Sequence, residues 1–395
     1  MRINFLSYRK WSWPINAVLY NLCRLIPFRN KKIWVFGTYL GLYYDDNTKY
    51  LFEYVNQNGD GSVRPIWLSK TPEVVKYIKD KGWEAYLLSS FKGIWFSIHC
   101  GVAIYTNGLG DFGTFPLVGG AILVTPWHGM GFKKIYNVNY HGNDLKIKLF
   151  FDHIFSWVNR DITFVTSQYT KKQFVDRFSI SPDTVFITGQ PRNDEFKKGI
   201  DKTEILSGFG IDKDKSIILY MPTFRSKWQR PDTLQKIINQ LTESTDINNI
   251  LERNNSILLI KLHPSTHGID IPNNNNFCLV PYGKVKSNQE LLLVADAMIT
   301  DYSSCFVDYA LLNRPIMFYV PDEDDYLRNS GDMDKEFFEI YTLCKANSPS
   351  QLALLIQEKS LAVVEKTNRL FEAPEIAGTC YSQNVYDTLL KVLHI

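Results

Sequence analysis

Ala297-Met-Ile-Thr-Asp-Tyr-Ser-Ser-Cys-Phe-Val-Asp-Tyr-Ala-Leu-Leu312 is the stretch that decides how this chain folds. It opens on a short apolar run, turns at Asp301-Tyr-Ser-Ser304, and continues with apolar residues at helical spacing. A strand that runs straight into a helix is the repeating unit of a parallel α/β sheet. Upstream, apolar runs recur at Ile33-Trp-Val-Phe36, Val102-Ala-Ile-Tyr105, Ala121-Ile-Leu-Val124, Ile162-Thr-Phe-Val165 and Val185-Phe-Ile187. Helical stretches such as Asn47–Asn56, Thr71–Lys81 and Ser167–Phe178 lie between them. A second series follows at Ser216-Ile-Ile-Leu-Tyr220, Ile257-Leu-Leu-Ile260, Ala297-Met-Ile299 and Pro315-Ile-Met-Phe-Tyr319. Two series joined near Gly189–Thr203 imply two Rossmann-like domains facing a central cleft. Ligands of such sheets sit beyond the carboxyl ends of the strands, so the residues after each apolar run are the ones to read for chemistry.

Composition narrows the function classes. The 395 residues are 45% hydrophobic and 22% charged, which supports buried cores and excludes a disordered or collagen-like chain. Six scattered cysteines, with no C-x-x-C pair, exclude a zinc module or disulfide scaffold and suit a reducing cytosol. No apolar run is long enough to span a bilayer, and no secretory signal is expected. The net charge of +3 hides a division. Residues 1–32 hold seven Lys and Arg and no acid; the rest, with 37 bases against 41 acids, is −4. So confined a basic excess points away from nucleic acid and toward an anionic surface met at one end.

Within that arm, Ile15, Val18, Leu19, Leu22, Leu25 and Ile26 fall at helical spacing, with Ser12 as a cap, Pro14 in the first turn and Pro27 as terminator. Trp11 and Trp13 precede the helix, and Arg24 and Arg29 stand at its far end. Tryptophans and flanking cations suit an amphipathic helix lying in a lipid headgroup layer. An amphipathic helix packed on the body, or used between subunits, is the alternative.

Two histidines follow apolar runs in matching positions, His128-Gly129 and His263-Pro264, and imidazole is suited to taking a proton from a hydroxyl near neutral pH. Thr300, Ser303 and Ser304 stand where a strand becomes a helix N-terminus, a setting that favours phosphate, with Asp308 in the first turns. Simple capping would need only one of them. Thr223-Phe-Arg225 and Arg192-Asn-Asp194 each end a strand with an arginine that could bind phosphate or form an interdomain salt bridge. Lys133 and Lys134 add cations after His128. Gly108-Leu-Gly-Asp-Phe-Gly113 matches G-x-G-x-x-G in form only, because the residues after it cannot open a helix; it reads as a loop. Asp322-Glu-Asp-Asp325 reads as a solvated loop rather than a metal motif.

In order, Trp127-His128-Gly129…Lys133, Gly189-x-Pro-Arg192-x-Asp194, Tyr220-x-Pro-Thr223-x-Arg225, Lys261-x-His263-Pro264 and Thr300-Asp301-Tyr-Ser303-Ser304…Asp308…Arg314-Pro315…Tyr319 resemble the CDP-glycerol glycerophosphotransferase family of teichoic-acid primases and polymerases. Phe36-Gly…Asp46-Asn47-x-Lys49 resembles its opening motif, and Tyr326-x-Arg328-Asn-Ser-Gly331 is a looser match to a later one. The likeness spans roughly residues 33–326.

The resemblance implies a GT-B-like fold with an N-terminal amphipathic helix, divided as a membrane-associating arm (1–32), an acceptor-side domain (33–195), a nucleotide-donor domain (196–375) and a C-terminal helix (376–395) able to cross back. It implies transfer of glycerol phosphate from CDP-glycerol to a hydroxyl of a membrane lipid-linked glycan or growing polyol-phosphate polymer, releasing CMP, in teichoic acid, capsule or related synthesis. His128 is then the general base and His263 assists at the transferring phosphate. Arg225, Thr300, Ser303, Ser304, Asp308 and Thr223 hold the donor; Gly129, Lys133, Arg192, Asp194 and Asn47 support the cleft. Trp11, Trp13, Leu19, Leu22, Arg24 and Arg29 meet an anionic membrane at its cytoplasmic face. No cofactor, metal or nucleic acid is expected. The alternatives are a CDP-ribitol or other polyol-phosphate donor, a nucleotide-sugar glycosyltransferase of the same architecture, and a non-catalytic membrane-bound assembly factor.

Overall fold

The computed structural model describes residues 5–134, 137, 140–155, 160–225, 232–263, 266, 268–281, 287–330 and 333–395, without the side chains of 5–14, 152–155 and 330. The chain forms two compact units. Unit 1 holds residues 1–128, 136–194 and 373–395; unit 2 holds 129–135 and 195–372.

Unit 1 is built on seven strands: β1 (Asn30–Phe36), β2 (Arg64–Ser69), β3 (Ala85–Leu87), β4 (Cys100–Ile104), β5 (Ile122–Thr125), β6 (Ile162–Val165) and β7 (Val185–Ile187). All pairings are parallel, in the order β3-β2-β1-β4-β5-β6-β7. Side chains of a strand alternate between faces, and here both faces are covered. Trp34, Phe36 and Trp67 enter one core with Leu51 and Phe52 of helix Asp46–Asn58. Val35, Ile66 and Leu68 enter the other with Phe96 and Tyr20. Each such large side chain contributes about 1.5–3 kcal/mol by leaving water. Helix Tyr381–Leu393 closes the first core with Val385, Tyr386 and Leu389.

Unit 2 carries β8 (Ser216–Met221), β9 (Ser256–Ile260), β10 (Phe277–Leu279), β11 (Ala297–Thr300), β12 (Ile316–Tyr319) and β13 (Lys345–Ala346). They are all parallel, ordered β10-β9-β8-β11-β12-β13. In both sheets the order reverses once, between β1 and β4 and between β8 and β11, which is the Rossmann topology and its ligand-binding switch point. Two Rossmann-like α/β domains make the fold GT-B-like.

The arm differs from expectation. Its helix runs Phe5–Arg24, so it begins well before Ser12 and carries Pro14 internally, at the cost of one intrahelical hydrogen bond. The side chains of Trp11 and Trp13 lie outside the described residues. Ala17, Tyr20 and Cys23 are buried, while Ile15, Val18, Leu22 and Leu25 are exposed and Leu19 is half-buried, so this stretch is apolar on both faces. Arg24 is exposed. Arg29 is not available to a lipid headgroup: its guanidinium donates to the carbonyl oxygens of Cys100 (3.0 Å), Cys23 (3.2 Å) and Gly119, clamping the arm to the sheet.

Candidate active site

In unit 1, β5 ends at Thr125 and the chain turns through Pro126 and Trp127 to His128. Trp127 has φ 58°, a left-handed conformation that costs a bulky residue roughly 1–2 kcal/mol. The turn is tied down. Trp127 N donates to Thr125 Oγ1 (3.0 Å), Asn47 Nδ2 donates to Trp127 O (2.8 Å), and Arg192 Nη1 donates to His128 O (2.8 Å). The His128 ring is exposed, and its Nδ1 lies 3.2 Å from Thr106 O at the end of the neighbouring strand β4. A carbonyl only accepts, so the proton sits on Nδ1 and Nε2 keeps its lone pair. Desolvation by the surrounding protein lowers the pKa from 6.5, against the opposing charge of Asp46, and the ring is neutral at pH 7.

Around it stand three acids, Asp45 and Asp46 after β1 and Asp111 after β4. Asp111 is fully buried and accepts from the backbone N–H groups of Leu40 (2.8 Å), Asn107 (2.9 Å) and Thr106 (3.1 Å). Burial, partly offset by those bonds, raises its pKa to about 6. Asp45 is raised to about 6 by burial and then by Asp46. Asp46 pairs with Arg192 at 2.8 Å. The Gly108-Leu-Gly-Asp-Phe-Gly113 segment is thus a structural loop, with a short 3-10 turn at Leu109–Phe112. The Asp194 carboxylate caps helix Tyr381–Leu393, accepting from Ser382 N (2.7 Å) and Tyr381 N (2.8 Å).

In unit 2, His263 follows β9 and is exposed, its ring 5.6 Å from that of Phe224; Pro264 lies outside the described residues. Burial, then the Lys261 and Lys133 charges, lower its pKa below 6.5, so it too is neutral at pH 7. Gly129 and Lys133 belong to this unit, and Lys133 Nζ donates to Tyr326 OH (2.7 Å). The Tyr326 ring stacks on Tyr302 at 3.7 Å.

The switch point of this sheet is taken up by an ion-pair network that engages the expected donor residues Arg225 and Thr223. Arg225 donates to Asp322 through Nε (2.8 Å) and Nη2 (3.1 Å), to Thr223 O through Nη1 (2.7 Å), and pairs with Asp301 at 2.8 Å. Thr223 Oγ1 donates to Asp301 Oδ1 (2.5 Å). Thr300 is buried, and its hydroxyl donates to Met221 O (2.9 Å). The hydrogen-bonding capacity of Arg225, Thr223 and Thr300 is therefore largely spent within the protein. Ser303 and Ser304 are half-buried; Ser303 Oγ accepts from Cys305 N (3.4 Å), and Ser304 Oγ makes no capping bond. Asp308 is buried in helix Cys305–Ala310. Asp322 is no solvated residue but an ion-pair partner, and Glu323 opens helix Glu323–Ser330 while accepting from Lys345 (2.8 Å).

Asp46, Asp301 and Asp322 are the structural anchors that sequence reading left out of the site. Asp46 and Asp301 do sit directly inside the motifs, so their position carried a signal. Among the described residues, no group of three or more His, Cys, Asp or Glu is placed to hold a metal ion.

The model of the CDP-glycerol:poly(glycerophosphate) glycerophosphotransferase family matches residues 18–351. The chain is 28% identical, over 96% of its own length and 94% of the relative, to a teichoic acid poly(glycerol phosphate) polymerase of Bacillus spizizenii. A teichoic acid poly(ribitol-phosphate) polymerase of the same organism is 26% identical over 89% of this chain, which spans about half of that relative (55%). The solved wall teichoic acid polymerase TagF superposes with a TM-score of 0.69 over 98% of this chain and 95% of that one, at 22% identity, a likeness of fold.

Proposed function

The chain belongs to the CDP-glycerol:poly(glycerophosphate) glycerophosphotransferase family, and we propose that His128 is the general base of its transfer reaction. The enzyme moves glycerol phosphate from CDP-glycerol in teichoic acid synthesis. An acceptor hydroxyl attacks the glycerol-bearing β-phosphorus; the new O–P bond forms as the bond to the CMP phosphate breaks, and the hydroxyl proton passes to His128 Nε2. The observation that carries this role is the Nδ1 contact to Thr106 O, which leaves Nε2 as an acceptor on an exposed, neutral ring.

Phosphoryl transfer needs positioning and stabilisation of negative charge more than covalent help. His263 with Lys133 and Lys261 supplies a cationic and hydrogen-bonding group in unit 2, and the Ser303 and Ser304 hydroxyls are the remaining donors for the pyrophosphate. Arg225 acts one step removed, by holding Asp301 and Asp322 in place. No metal is assigned a part, so activity is expected to survive EDTA; loss with EDTA and recovery with Mg²⁺ would overturn that.

The acceptor is a lipid-linked glycan or polymer held at an anionic membrane surface, with the enzyme bound peripherally. What supports this is the exposed apolar row Ile15, Val18, Leu22 and Leu25, with Ile147, Phe150 and Phe151 exposed on the contacting helix Gly142–Phe155. Exposed apolar side chains interleaved with Arg24, Lys146 and Lys148 fit the headgroup boundary. Among the described residues, no helix is long and apolar enough to cross a membrane.

Incubation with CDP-, UDP- and GDP-linked donors tests the donor assignment: CMP is released from CDP-glycerol. Preferential use of CDP-ribitol would move the polyol, and release of UDP or GDP would reject the reading.

A further inference from the structure

A left-handed tryptophan next to the proposed base needs something to hold it, because the strain favours relaxation of the turn. The holding groups come from two other elements of unit 1. Asn47, in the first turn of helix Asp46–Asn58, donates through Nδ2 to Trp127 O (2.8 Å) and accepts through Oδ1 from Arg192 N (3.1 Å). Arg192, in the 3-10 segment Pro191–Lys197, donates through Nη1 to His128 O (2.8 Å) and to Asp46 Oδ1 (2.8 Å), and through Nη2 to Gln190 Oε1 (3.0 Å). Asp46 Oδ1 also accepts from Asn47 N (2.8 Å). Asp46 is 3% exposed, Asn47 0% and Arg192 9%. A buried ion pair repays little of its desolvation cost as stability, so stability is a poor account of why one stands here.

We propose that Asn47 and Arg192, anchored on Asp46, are positioning residues that grip the two consecutive carbonyls of the Trp127–His128 turn and fix where the imidazole stands. The proposal rests on the reading of His128 as the base. Thr106 sets the ring's tautomer; Asn47 and Arg192 set its backbone. The same pair sets the charge around the ring. The charged groups acting on His128 from the elements packed round it are Asp46, which favours its protonation, and Arg192 and Arg160, which oppose it.

The test is the pH dependence of kcat/KM for CMP release by the full-length enzyme, whose acid limb reports the base in free enzyme. Arg192→Gln leaves Asp46 unopposed and is expected to move the limb up by about one pH unit, and Asp46→Asn to move it down by a similar amount. Arg192→Lys keeps the charge but not the fork, so the limb stays and kcat falls. Asn47→Ala touches no charge; it is expected to lower kcat about tenfold or more, with KM for CDP-glycerol nearly unchanged. Thermal melting identifies any variant that does not fold, and the remaining ones decide. Unmoved limbs in both charge variants, or a full kcat in Asn47→Ala, overturn the proposal while His128→Ala still abolishes turnover. An active His128→Ala enzyme would instead remove the base reading beneath it.

Discussion

Arg225 Nη1 stands 2.8 Å from Asp301 Oδ2, with 5% of one side chain and none of the other exposed. The pair lies at the reversal point of the unit 2 sheet, joining the residues after β8 to those after β11. Asp322 completes a trio whose single cation meets two carboxylates. Burial opposes the arginine's charge, but Asp301 and Asp322 more than offset that and hold its pKa above the usual value.

Arg225→Ala is therefore expected to destabilise the fold by about 3–5 kcal/mol, because it strands two buried carboxylates. Denaturant unfolding measures this. A variant that melts like wild type but shows a raised KM for CDP-glycerol would return Arg225 to a donor-binding role.

Asp45 gives a pH signature. Burial first, and Asp46 second, raise its carboxyl from 3.8 to about 6. Between those values the folded chain keeps a proton that the unfolded chain has lost, so this group's contribution to stability falls as pH rises through the window. Asp45→Asn removes the effect. The stability of Asp45→Asn relative to wild type is expected to improve by roughly 1–3 kcal/mol between pH 4 and pH 7. An unchanging difference across that range would contradict the assignment.

The arm is best tested by substitution, not deletion, since Tyr20 and Cys23 are part of the fold. Val18 and Leu22 are exposed, so Val18→Glu with Leu22→Glu is expected to change stability by less than about 1 kcal/mol. The same change is expected to abolish co-sedimentation with anionic phosphatidylglycerol vesicles. Undiminished vesicle binding would refute the membrane reading.

Much of this architecture is legible because buried parallel strands appear as short apolar runs, as at Ile162–Val165 and Val185–Ile187. Strands β2, β3, β10 and β13 are not visible that way. β2 contains Pro65, which argues against a strand, and β13 has only two residues; β3 and β10, like β7, have three, too few to show a period, so a run of that length carries a weak signal. The site divides similarly. Topology points to His128 and His263, because a strand end faces the ligand edge. It does not say which polar groups consume one another: Arg225 is taken by Asp322, 97 positions away, and Arg29 by the carbonyl of Cys100, 71 positions away. Long-range pairing leaves no trace in local spacing.

This enzyme transfers glycerol phosphate, and His128 is proposed to accept the acceptor's proton. CMP release from CDP-glycerol with a lipid-linked acceptor, compared between wild type and His128→Ala of equal melting temperature, tests it directly. Acceptor-dependent CMP release that falls by about 10²-fold or more in the variant is the expected result. A folded His128→Ala enzyme turning over near the wild-type rate would contradict it.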